Sequence, residues 1–386
     1  MKILVIGGYG FFGGLLVTNL LIYHRHDVIV AGRSLQKAER FCRNFDESYQ
    51  SRTYPYQIDI HSDNLATQFR SLDIDIVVNA CGPYQLQRHQ QHCYRVAKAC
   101  IEAECHYIDL ADDREFVVNF ASTLNQRAQR AGVMCVSGAS TVPGLTGAVL
   151  DHFQPEFSQL TEVRHGISPG NRARKSLATV ASILSYAGRP FDILYRGSKR
   201  TVFGWQQLRR YNFGPPLGKR WFANCQIPDL DLLPARYPSL RTVWFQAGLE
   251  IPFLHCGLWL LSFLPRIGLI ENLTRAASWM TRIGNYFLQW GSDNGGMFIQ
   301  MRGIDHHNES KVINWQLVAE QGTGPNVPTM AAEILIDKIA SGYVDPGAGP
   351  CLGLFSLGEF FLIASRWGIY QRYREGTEDV LRELLL

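Results

Sequence analysis

A glycine pattern near the start of the chain has the spacing of a phosphate-binding turn. Gly8, Gly10 and Gly13 follow the apolar run of residues 2–7 and stand where a helical pattern begins. Glycines at this spacing permit a tight bend, a close approach of the backbone to a pyrophosphate and close packing of helix on strand. We therefore expect a dinucleotide site, with a glycine turn that binds no ligand as the alternative. The residues predicted to contact the cofactor here are Gly8, Tyr9, Gly10, Phe11, Phe12 and Gly13.

The end of the next apolar run, residues 27–31, indicates which dinucleotide is bound. NAD sites usually place an acid there, which bonds to the ribose hydroxyls. This chain has Gly32, Arg33 and Ser34 instead, with Lys37 one turn later. A guanidinium pairs well with a 2′-phosphate, whereas a carboxylate would repel it. The pattern favours NADP(H), held by Arg33, Ser34 and Lys37, and a solvent-facing arginine at the strand end is the alternative.

Two further strand ends are predicted to contact the cofactor. Asp59 and Ile60 follow the third strand pattern and are expected to border the adenine. The fourth pattern, residues 74–79, ends in a segment expected near the nicotinamide ribose. That segment is Asn79, Ala80, Cys81, Gly82 and Pro83.

Hydride transfer to a carbonyl, an imine or a polarised alkene also needs a proton donor. Ligands of open α/β sheets bind at the carboxyl ends of the strands, where Tyr84, Asp109 and Asp112 are expected. These are the predicted catalytic residues. Asp109 could instead be a structural carboxylate that bonds backbone amides, and Tyr84 could stack on the nicotinamide.

Three residues are predicted to contact the substrate, namely Ser140, Thr141 and Arg172. For Arg172, with Arg174 and Lys175 nearby, a solvated basic turn is an equal alternative. No metal site is expected. His89, His92 and Cys93 are close in sequence, but no second group of Cys or His completes a four-ligand set.

The elements that must position these residues alternate between strand and helix over residues 1–150. Strand patterns occur at 2–7, 27–31, 56–60, 74–79, 106–110 and 133–136, and helical patterns lie between them at 11–23, 35–45, 63–72, 90–103 and 115–131. This alternation predicts an α/β fold with a doubly wound parallel sheet, the Rossmann architecture.

After residue 150 the pattern changes. A strand is expected at 160–167, a helix at 176–186 and an antiparallel hairpin from 298–303 and 311–319, whereas 195–217 shows no clear period. A helix is expected over 326–341. We predict a Rossmann domain over 1–148, an α+β domain with a mixed or antiparallel sheet over 149–324, and a helical segment over 325–386 that returns to the first domain.

Composition narrows the class of protein. The chain has 386 residues, 46% of them hydrophobic and 19% charged, with a net charge of +4. The small, scattered charge excess argues against nucleic acid as a partner. Nine unpatterned cysteines and the absence of a signal-peptide pattern lead us to expect reduced thiols and a cytoplasmic protein. Residues 251–265 are uncharged, but this segment is too short and too interrupted to span a membrane. A peripheral contact of the protein with a membrane stays open as an alternative. A homodimer is a separate alternative that also stays open.

Several segments together resemble the saccharopine dehydrogenase-like family of NADP-binding oxidoreductases. They are the glycine turn, the AGRS strand end, VVNACGPY at 77–84, HYIDLADDREF at 106–116, VSGASTVPGL at 136–145 and EQGTGPNVPTMAAEIL near the C-terminus. The resemblance implies hydride transfer with NADP(H) and a small-molecule substrate in a cleft between the two domains.

This chain departs from the family pattern at two places. The usual threonine–glycine–glutamate is Ala111, Asp112 and Asp113 here, and a Gly-Gly-Leu-Pro loop of amino-acid-specific members is replaced by residues 166–170. Saccharopine itself is therefore not implied as the substrate. A dinucleotide-binding sensor or scaffold without turnover, associated with a membrane surface or not, is the alternative function.

Overall fold

The structure is a computed structural model that describes residues 1–86, 93–173 and 177–376. The strands are β1 Lys2–Ile6, β2 Asp27–Gly32, β3 Thr53–Gln57, β4 Ile76–Asn79, β5 His106–Asp109, β6 Met134–Ser137, β7 Gln159–Ser168, β8 Pro190–Tyr195, β9 Ser198–Phe203, β10 Arg209–Asn212, β11 Lys219–Asn224, β12 Thr242–Ala247, β13 Gly295–Ile304, β14 Ser310–Ala319, β15 Gly347–Pro350 and β16 Tyr370–Gly376. The helices are α1 Phe11–Tyr23, α2 Leu35–Cys42, α3 Glu47–Gln50, α4 Leu65–Ser71, α5 Arg95–Ala103, α6 Arg114–Val118, α7 Phe120–Arg130, α8 Thr146–Phe153, α9 Leu177–Tyr186, α10 Asp229–Arg236, α11 Pro252–Leu261, α12 Phe263–Arg266, α13 Ala277–Tyr286, α14 Val327–Ala340 and α15 Leu357–Ala364.

The chain divides into two compact units. The first contains Met1–Ala148 and Asn326–Phe360, and the second contains Val149–Pro325 and Phe361–Leu386. All nine cysteines are free thiols, as the sequence predicts. Within the described ranges, no helix has both the length and the apolar character to cross a membrane.

The first unit is built on a seven-stranded sheet in the order β15-β6-β5-β4-β1-β2-β3. Every pair of neighbours is parallel. Parallel sheets are covered by helices on both faces, which explains why β1 and β4 are almost wholly buried apolar runs. The predicted doubly wound fold is confirmed.

The register of this sheet aligns the strand ends that the sequence marked. Ile6 of β1 lies opposite Ala31 of β2 and opposite Asn79 of β4, and Asn79 lies opposite Asp109 of β5. Because parallel strands share one direction, the segments that follow these residues all leave from the same edge of the sheet. The glycine turn, the Arg33 segment and the segments that follow β4 and β5 therefore share that edge.

Three elements of the first unit differ from the predicted ones. β3 spans Thr53–Gln57 rather than 56–60, because it is an edge strand whose mostly exposed residues give little apolar signal. The single helix predicted over 115–131 is two helices, α6 and α7, that meet at Asn119. β15 was not predicted, since Gly347–Pro350 has almost no side chains and is held by backbone pairing with β6.

The C-terminal part of the first unit is the helix α14. It packs on α1 and ends at Ala340, two residues before Gly342, whose φ of 74° favours glycine. Its buried residues span the helix from Val327 to Ile339. Burial of so long an apolar face joins residues 326–360 to the N-terminal domain.

The second unit is built on a nine-stranded mixed sheet. Its main path is β10-β11-β12-β7-β13-β14-β16, and β8 pairs with both β12 and β9. The β12–β7 pair is parallel, whereas the other pairs are antiparallel. The predicted hairpin is present as β13 and β14, in register from the Gly295–Ala319 pair to the Ile304–Ser310 pair.

Two segments of the second unit differ from what the sequence predicts. Residues 195–217 have no predicted element, yet they hold β9, whose largely polar residues are mostly exposed, and β10, which has only four residues. The segment 325–386 was expected to be helical and to lie on the first domain. Residues 326–360 do belong to the first unit, but β16 continues the second sheet by pairing along β14, which supplies partners for backbone groups that an edge strand would leave open.

Candidate cofactor and active site

The glycine turn folds back on the carbonyl oxygen of Gly7. Gly7 has a φ of 80°, and its carbonyl accepts a 2.8 Å bond from the Gly10 N–H. A Cβ on Gly13 would lie 2.2 Å from that oxygen and one on Gly10 would lie 2.9 Å from it, so both positions need glycine. The pattern of three glycines did not identify Gly7, although its place before Gly8 at the strand end is a signal for a left-handed residue.

The start of α1 is suited to phosphate. No side chain in the described part of the chain caps this helix, and its first turn carries no acid. The N–H groups of the first turn and the positive end of the helix dipole are therefore available to an anion. Phe11 and Phe12 are half-buried, with ring centroids 5.0 Å apart. These features fit a pyrophosphate of a dinucleotide.

Tyr9 links the glycine turn to the end of β2. Its hydroxyl accepts a 3.1 Å bond from the Ser34 N–H. A Cβ on Gly32 would lie 2.5 Å from the same hydroxyl, so only glycine permits this contact. Ser34 in turn caps α2 by accepting a bond from the Lys37 N–H at 3.3 Å. In the AGRS segment, Gly32 is therefore needed for the contact with Tyr9, and Ser34 is needed to cap α2.

Arg33 and Lys37 are both exposed at this edge of the sheet. Arg33 follows directly after β2, and its backbone carbonyl accepts a 3.1 Å bond from the Gln57 side-chain amide. Burial raises the pKa of the Cys81 thiol to about 11, and the guanidinium of Arg33 acts in the opposite direction. This interaction places the Arg33 charge within electrostatic reach of the end of β4.

The remaining predicted cofactor residues lie just beyond β3 and β4. Asp59 is exposed and accepts a 3.0 Å bond from the His61 N–H, while Ile60 is half-buried. Ala80, Cys81 and Pro83 are half-buried and Gly82 is exposed. The side-chain oxygen of Asn79 accepts a 3.1 Å bond from the Cys81 N–H, which fixes the start of this segment.

A buried hydrogen-bond chain joins Asn79 to two of the three predicted catalytic residues. The Tyr84 hydroxyl donates to the Asn79 carbonyl at 2.6 Å. The Asn79 amide donates to the Tyr107 hydroxyl at 3.4 Å, and that hydroxyl donates to Asp109 at 2.9 Å. Tyr84 and Asp109 therefore belong to one polar network beneath the edge of the sheet.

Asp109 accepts bonds from four donors. Besides Tyr107, these are the Ser137 hydroxyl at 3.0 Å and the N–H groups of Ala111 at 3.0 Å and Gly138 at 2.8 Å. Its side chain is fully buried. Burial raises the pKa of Asp109 to about 6, and the four bonds to the charged form oppose that rise. Tyr107 and Ser137 carried no chemical signal in the sequence, because their role depends on the pairing of neighbouring strands.

Asp112 differs from the other two, because it is exposed. Its carboxylate accepts a 3.4 Å bond from the Gln85 amide, so the loop after β5 meets the loop that contains Tyr84. The next residue, Asp113, caps α6 by accepting a 2.9 Å bond from the Phe116 N–H. Of the three predicted catalytic side chains, only Asp112 is open to solvent, and hence to a substrate.

The predicted substrate residues fall in different units. Ser140 is half-buried and Thr141 is buried, and both follow β6 in the first unit. Arg172 is exposed in the second unit, where its guanidinium lies 3.5 Å from the Gln289 carbonyl and 3.9 Å from Asp293. Arg174 and Lys175 lie outside the described residues.

The loop that carries Arg172 is fixed by a buried ion pair that the sequence did not reveal. Arg220 on β11 bonds to Glu250 at 3.3 Å, to the Ser168 carbonyl at 2.9 Å and to the Asn294 carbonyl at 2.7 Å. Glu250 accepts a 2.6 Å bond from the Asn171 N–H. Arg220 bonds both to the end of β7 and to the residue before β13, so it helps to fix the backbone on which Arg172 stands.

One cluster of potential metal ligands occurs within the described ranges, and it lies away from the predicted sites. The ligand atoms of His24, His26 and Asp337 lie within 4.8 Å of one another. His24, however, bonds to Glu333 at 2.9 Å and to Asp337 at 3.0 Å through its two ring nitrogens. An imidazolium between two carboxylates accounts for this geometry without a metal. His89 and His92 lie outside the described residues, and Cys93 is half-buried.

Comparison with known proteins connects this geometry to a family. Residues 3–136 match the family model of the saccharopine dehydrogenase NADP binding domain. An apo saccharopine dehydrogenase (L-Glu forming) from Saccharomyces cerevisiae is similar in structure, with 14% identity, a TM-score of 0.67 and coverage of 97% of this chain and 100% of that one. A meso-DAPDH mutant from Clostridium tetani has 12% identity and a TM-score of 0.44, over 100% of this chain and 99% of the other. No curated protein matches by sequence.

The family model confirms the resemblance to the saccharopine dehydrogenase-like family over residues 3–136. The family model identifies the N-terminal domain as NADP-binding, so the cofactor is NADP(H), as the sequence predicts. The yeast structure, at its low identity, shows that the fold is shared over nearly the whole chain.

Proposed function

We propose that this chain, whose residues 3–136 match the saccharopine dehydrogenase NADP-binding domain, is an NADP(H)-dependent oxidoreductase that acts on a small molecule. The observation that carries the proposal is the shared edge of the first sheet. There the glycine turn, an exposed arginine and an exposed carboxylate come from neighbouring strand ends. Ligands of doubly wound folds bind at this edge.

The cofactor residues are assigned by position along the edge. The turn from Gly8 to Gly13 and the start of α1 bind the pyrophosphate, while Arg33, with Ser34 and Lys37, pairs with the 2′-phosphate. The adenine lies against Asp59 and Ile60, and the nicotinamide ribose lies against the segment from Asn79 to Pro83. When bound, NADP(H) supplies or accepts a hydride.

The chain's own contribution to the chemistry is to bind, orient and protonate the substrate. A carbonyl, imine or polarised alkene needs a proton at the atom next to the one that takes the hydride. Asp112 is the acid with access to solvent, whereas Tyr84 and Asp109 are buried and bonded. We therefore assign proton delivery to the group formed by Tyr84, Asp109 and Asp112, with Asp112 meeting the substrate. Ser140, Thr141 and Arg172 are the proposed substrate contacts.

The proposal is tested by NADPH oxidation, followed by absorbance, with a panel of aldehydes, ketones, imines and enones. The variants are Tyr84→Phe, Asp109→Asn and Asp112→Asn. We expect all three to keep NADPH binding nearly intact, because none belongs to the glycine turn or the Arg33 segment. At least one should abolish turnover on an identified substrate, and Asp112→Asn is the first candidate.

Asp109→Asn needs a separate readout, because an amide NH₂ would face groups that now donate to the carboxylate. Its unfolding temperature distinguishes a loss of fold from a loss of chemistry, and the pH profile of the rate shows whether the pKa near 6 governs turnover. Full activity in all three variants would rule out this assignment of the pocket.

A second candidate function is a dinucleotide-binding sensor or scaffold without turnover. The observation that favours it is that Asp109 and Tyr84 are occupied by internal bonds, as structural residues would be. Tight NADPH binding without oxidation across the whole panel would support this candidate over the enzyme. The homodimer, the cytoplasmic location and the substrate cleft between domains stay predictions.

A further inference from the structure

Residues 253–290 of the second unit carry a concentration of exposed apolar side chains. Eight of the seventeen exposed large apolar side chains in the described part of the chain lie in this stretch. Six of them have between 59% and 79% of their surface exposed, namely Leu260, Ile267, Leu269, Trp279, Tyr286 and Trp290. Scattered apolar residues are ordinary on a protein surface, but such a concentration marks an interaction site.

The helix α11 shows why this exposure is unusual. Its buried residues His255 and Leu258 lie on its inner side, whereas Phe253, Gly257 and Leu260 lie on its outer side. A surface helix of a water-soluble protein places polar residues on the outer side. The outer side of α11 carries none, so the folded unit leaves an apolar surface uncovered there.

Ring contacts join α11 to the residues that follow α13. The ring of Phe253 lies 4.9 Å from that of Phe287, which lies 5.1 Å from the ring of Trp290. On α13, Trp279, Arg282 and Tyr286 are exposed at helical spacing and form one stripe. We call the exposed apolar side chains of this segment, Phe253, Leu260, Ile267, Leu269, Trp279 and Trp290, the apolar face.

The charged residues within the segment that carries the apolar face are mostly positive. Between residues 251 and 290 the charged residues are Arg266, Arg275, Arg282 and Glu271. All four are exposed, and neither Arg275 nor Arg282 is in an ion pair among the described residues. Arginines beside an apolar surface attract anionic headgroups, and tryptophan and tyrosine favour the boundary between headgroups and acyl chains.

We propose that the apolar face docks on a bilayer surface that contains anionic phospholipid. Leu260, Ile267 and Leu269 enter the acyl region, while Trp279 and Trp290 lie at the headgroup level and Arg275 and Arg282 pair with lipid phosphates. A second copy of the chain fits this face less well. An isologous contact would set the basic surface of one copy against the same basic surface of the other.

Flotation of the purified full chain tests this proposal. The two probes are vesicles of phosphatidylcholine alone and vesicles with equal parts of phosphatidylcholine and phosphatidylglycerol. We expect the chain to float with the anionic vesicles and to float poorly with the neutral ones. A rise in ionic strength should weaken the binding without abolishing it, because the apolar contribution is not screened.

Two variants and a control separate the contributions. Trp279→Ser with Trp290→Ser should reduce the floating fraction at least about fivefold, and Arg275→Glu with Arg282→Glu should reduce the affinity for anionic vesicles at least about tenfold. The control is Tyr343→Ser with Leu362→Ser, which removes two apolar side chains outside the face that are more exposed than the two tryptophans, and it should float as the parent does. Circular dichroism and the unfolding temperature check that each variant is folded.

Three results would overturn the proposal. The first is that the parent chain does not float with anionic vesicles. The second is that the tryptophan variant floats as well as the parent. The third is that the parent sediments as a dimer whereas the tryptophan variant sediments as a monomer. The last result would assign the face to a second copy of the chain. None of these measurements depends on enzyme turnover, so the outcome is separate from that of the proposed oxidoreductase function.

Discussion

At the scale of single residues, cofactor preference should depend on Arg33. This side chain is exposed after β2, where no acid accompanies it. If its guanidinium pairs with the 2′-phosphate, Arg33→Asp should weaken NADPH binding by about 1.5–3 kcal/mol, because a charged hydrogen bond is lost and a repulsion replaces it. NADH binding should change little, so the preference for NADPH over NADH should become smaller or reverse. Calorimetry of both cofactors measures this.

The matched control for Arg33 is Arg40→Asp. Arg40 is also an exposed arginine, but it lies in the last turn of α2, away from the N-terminal end that faces the glycine turn. The same charge change there should leave the ratio of NADPH to NADH affinity unchanged. Equal affinities of the parent chain for the two cofactors would disprove the role of Arg33.

At the scale of elements, an ion pair between α1 and α14 should make stability depend on pH. Burial lowers the pKa of His24, but hydrogen bonds to Asp337 and Glu333 outweigh that effect and raise its pKa from 6.5 to about 9. The pair therefore stabilises the fold fully below the unfolded pKa, near pH 6.5, and its contribution is lost as the pH rises through 9. Its size at pH 6 is on the order of 2–3 kcal/mol.

His24→Gln tests this ion pair. The variant should be less stable than the parent at pH 6, and the difference in free energy of unfolding should shrink as the pH approaches 10. Urea unfolding at a series of pH values measures it. His307→Gln, at an exposed turn between β13 and β14, is the control and should follow the parent at every pH. A stability difference that stays constant with pH would contradict the assignment.

At the scale of the whole molecule, the cofactor domain is assembled from two distant parts of the chain. Residues 1–148 and 326–360 form one unit, and Leu335 of α14 is fully buried within it. Leu335→Ala should lower the free energy of unfolding by about 2–5 kcal/mol through the cavity that it leaves. It should also lower the temperature at which NADPH binding is lost, although the substitution lies far along the chain from the glycine turn.

Leu335→Met controls for the substitution itself. Because it nearly conserves volume, it should cost less than about 1.5 kcal/mol. Thermal unfolding followed both by circular dichroism and by NADPH fluorescence gives the two temperatures. If Leu335→Ala lost bound NADPH only at the temperature at which the parent loses it, α14 would not be part of the cooperative unit that holds the cofactor.

The sequence by itself determined the glycine turn, the doubly wound fold of the first domain and the choice of NADP(H). These features are local: the spacing of glycines, the residues after β2 and the alternation of strand and helix are encoded in consecutive residues. For the same reason α1 and the hairpin of β13 and β14 were predictable, since their apolar periods are complete within one segment.

Only the tertiary structure decided which groups are accessible and which strands complete each sheet. Asp109 and Asp112 look alike in sequence, but the ends of β5 and β6 surround the first with donors and leave the second in solvent. The partner of His24 lies 309 residues away, and β15 and β16 have too few apolar side chains to signal a strand. Such contacts arise from packing between distant segments, which no local pattern of residues encodes.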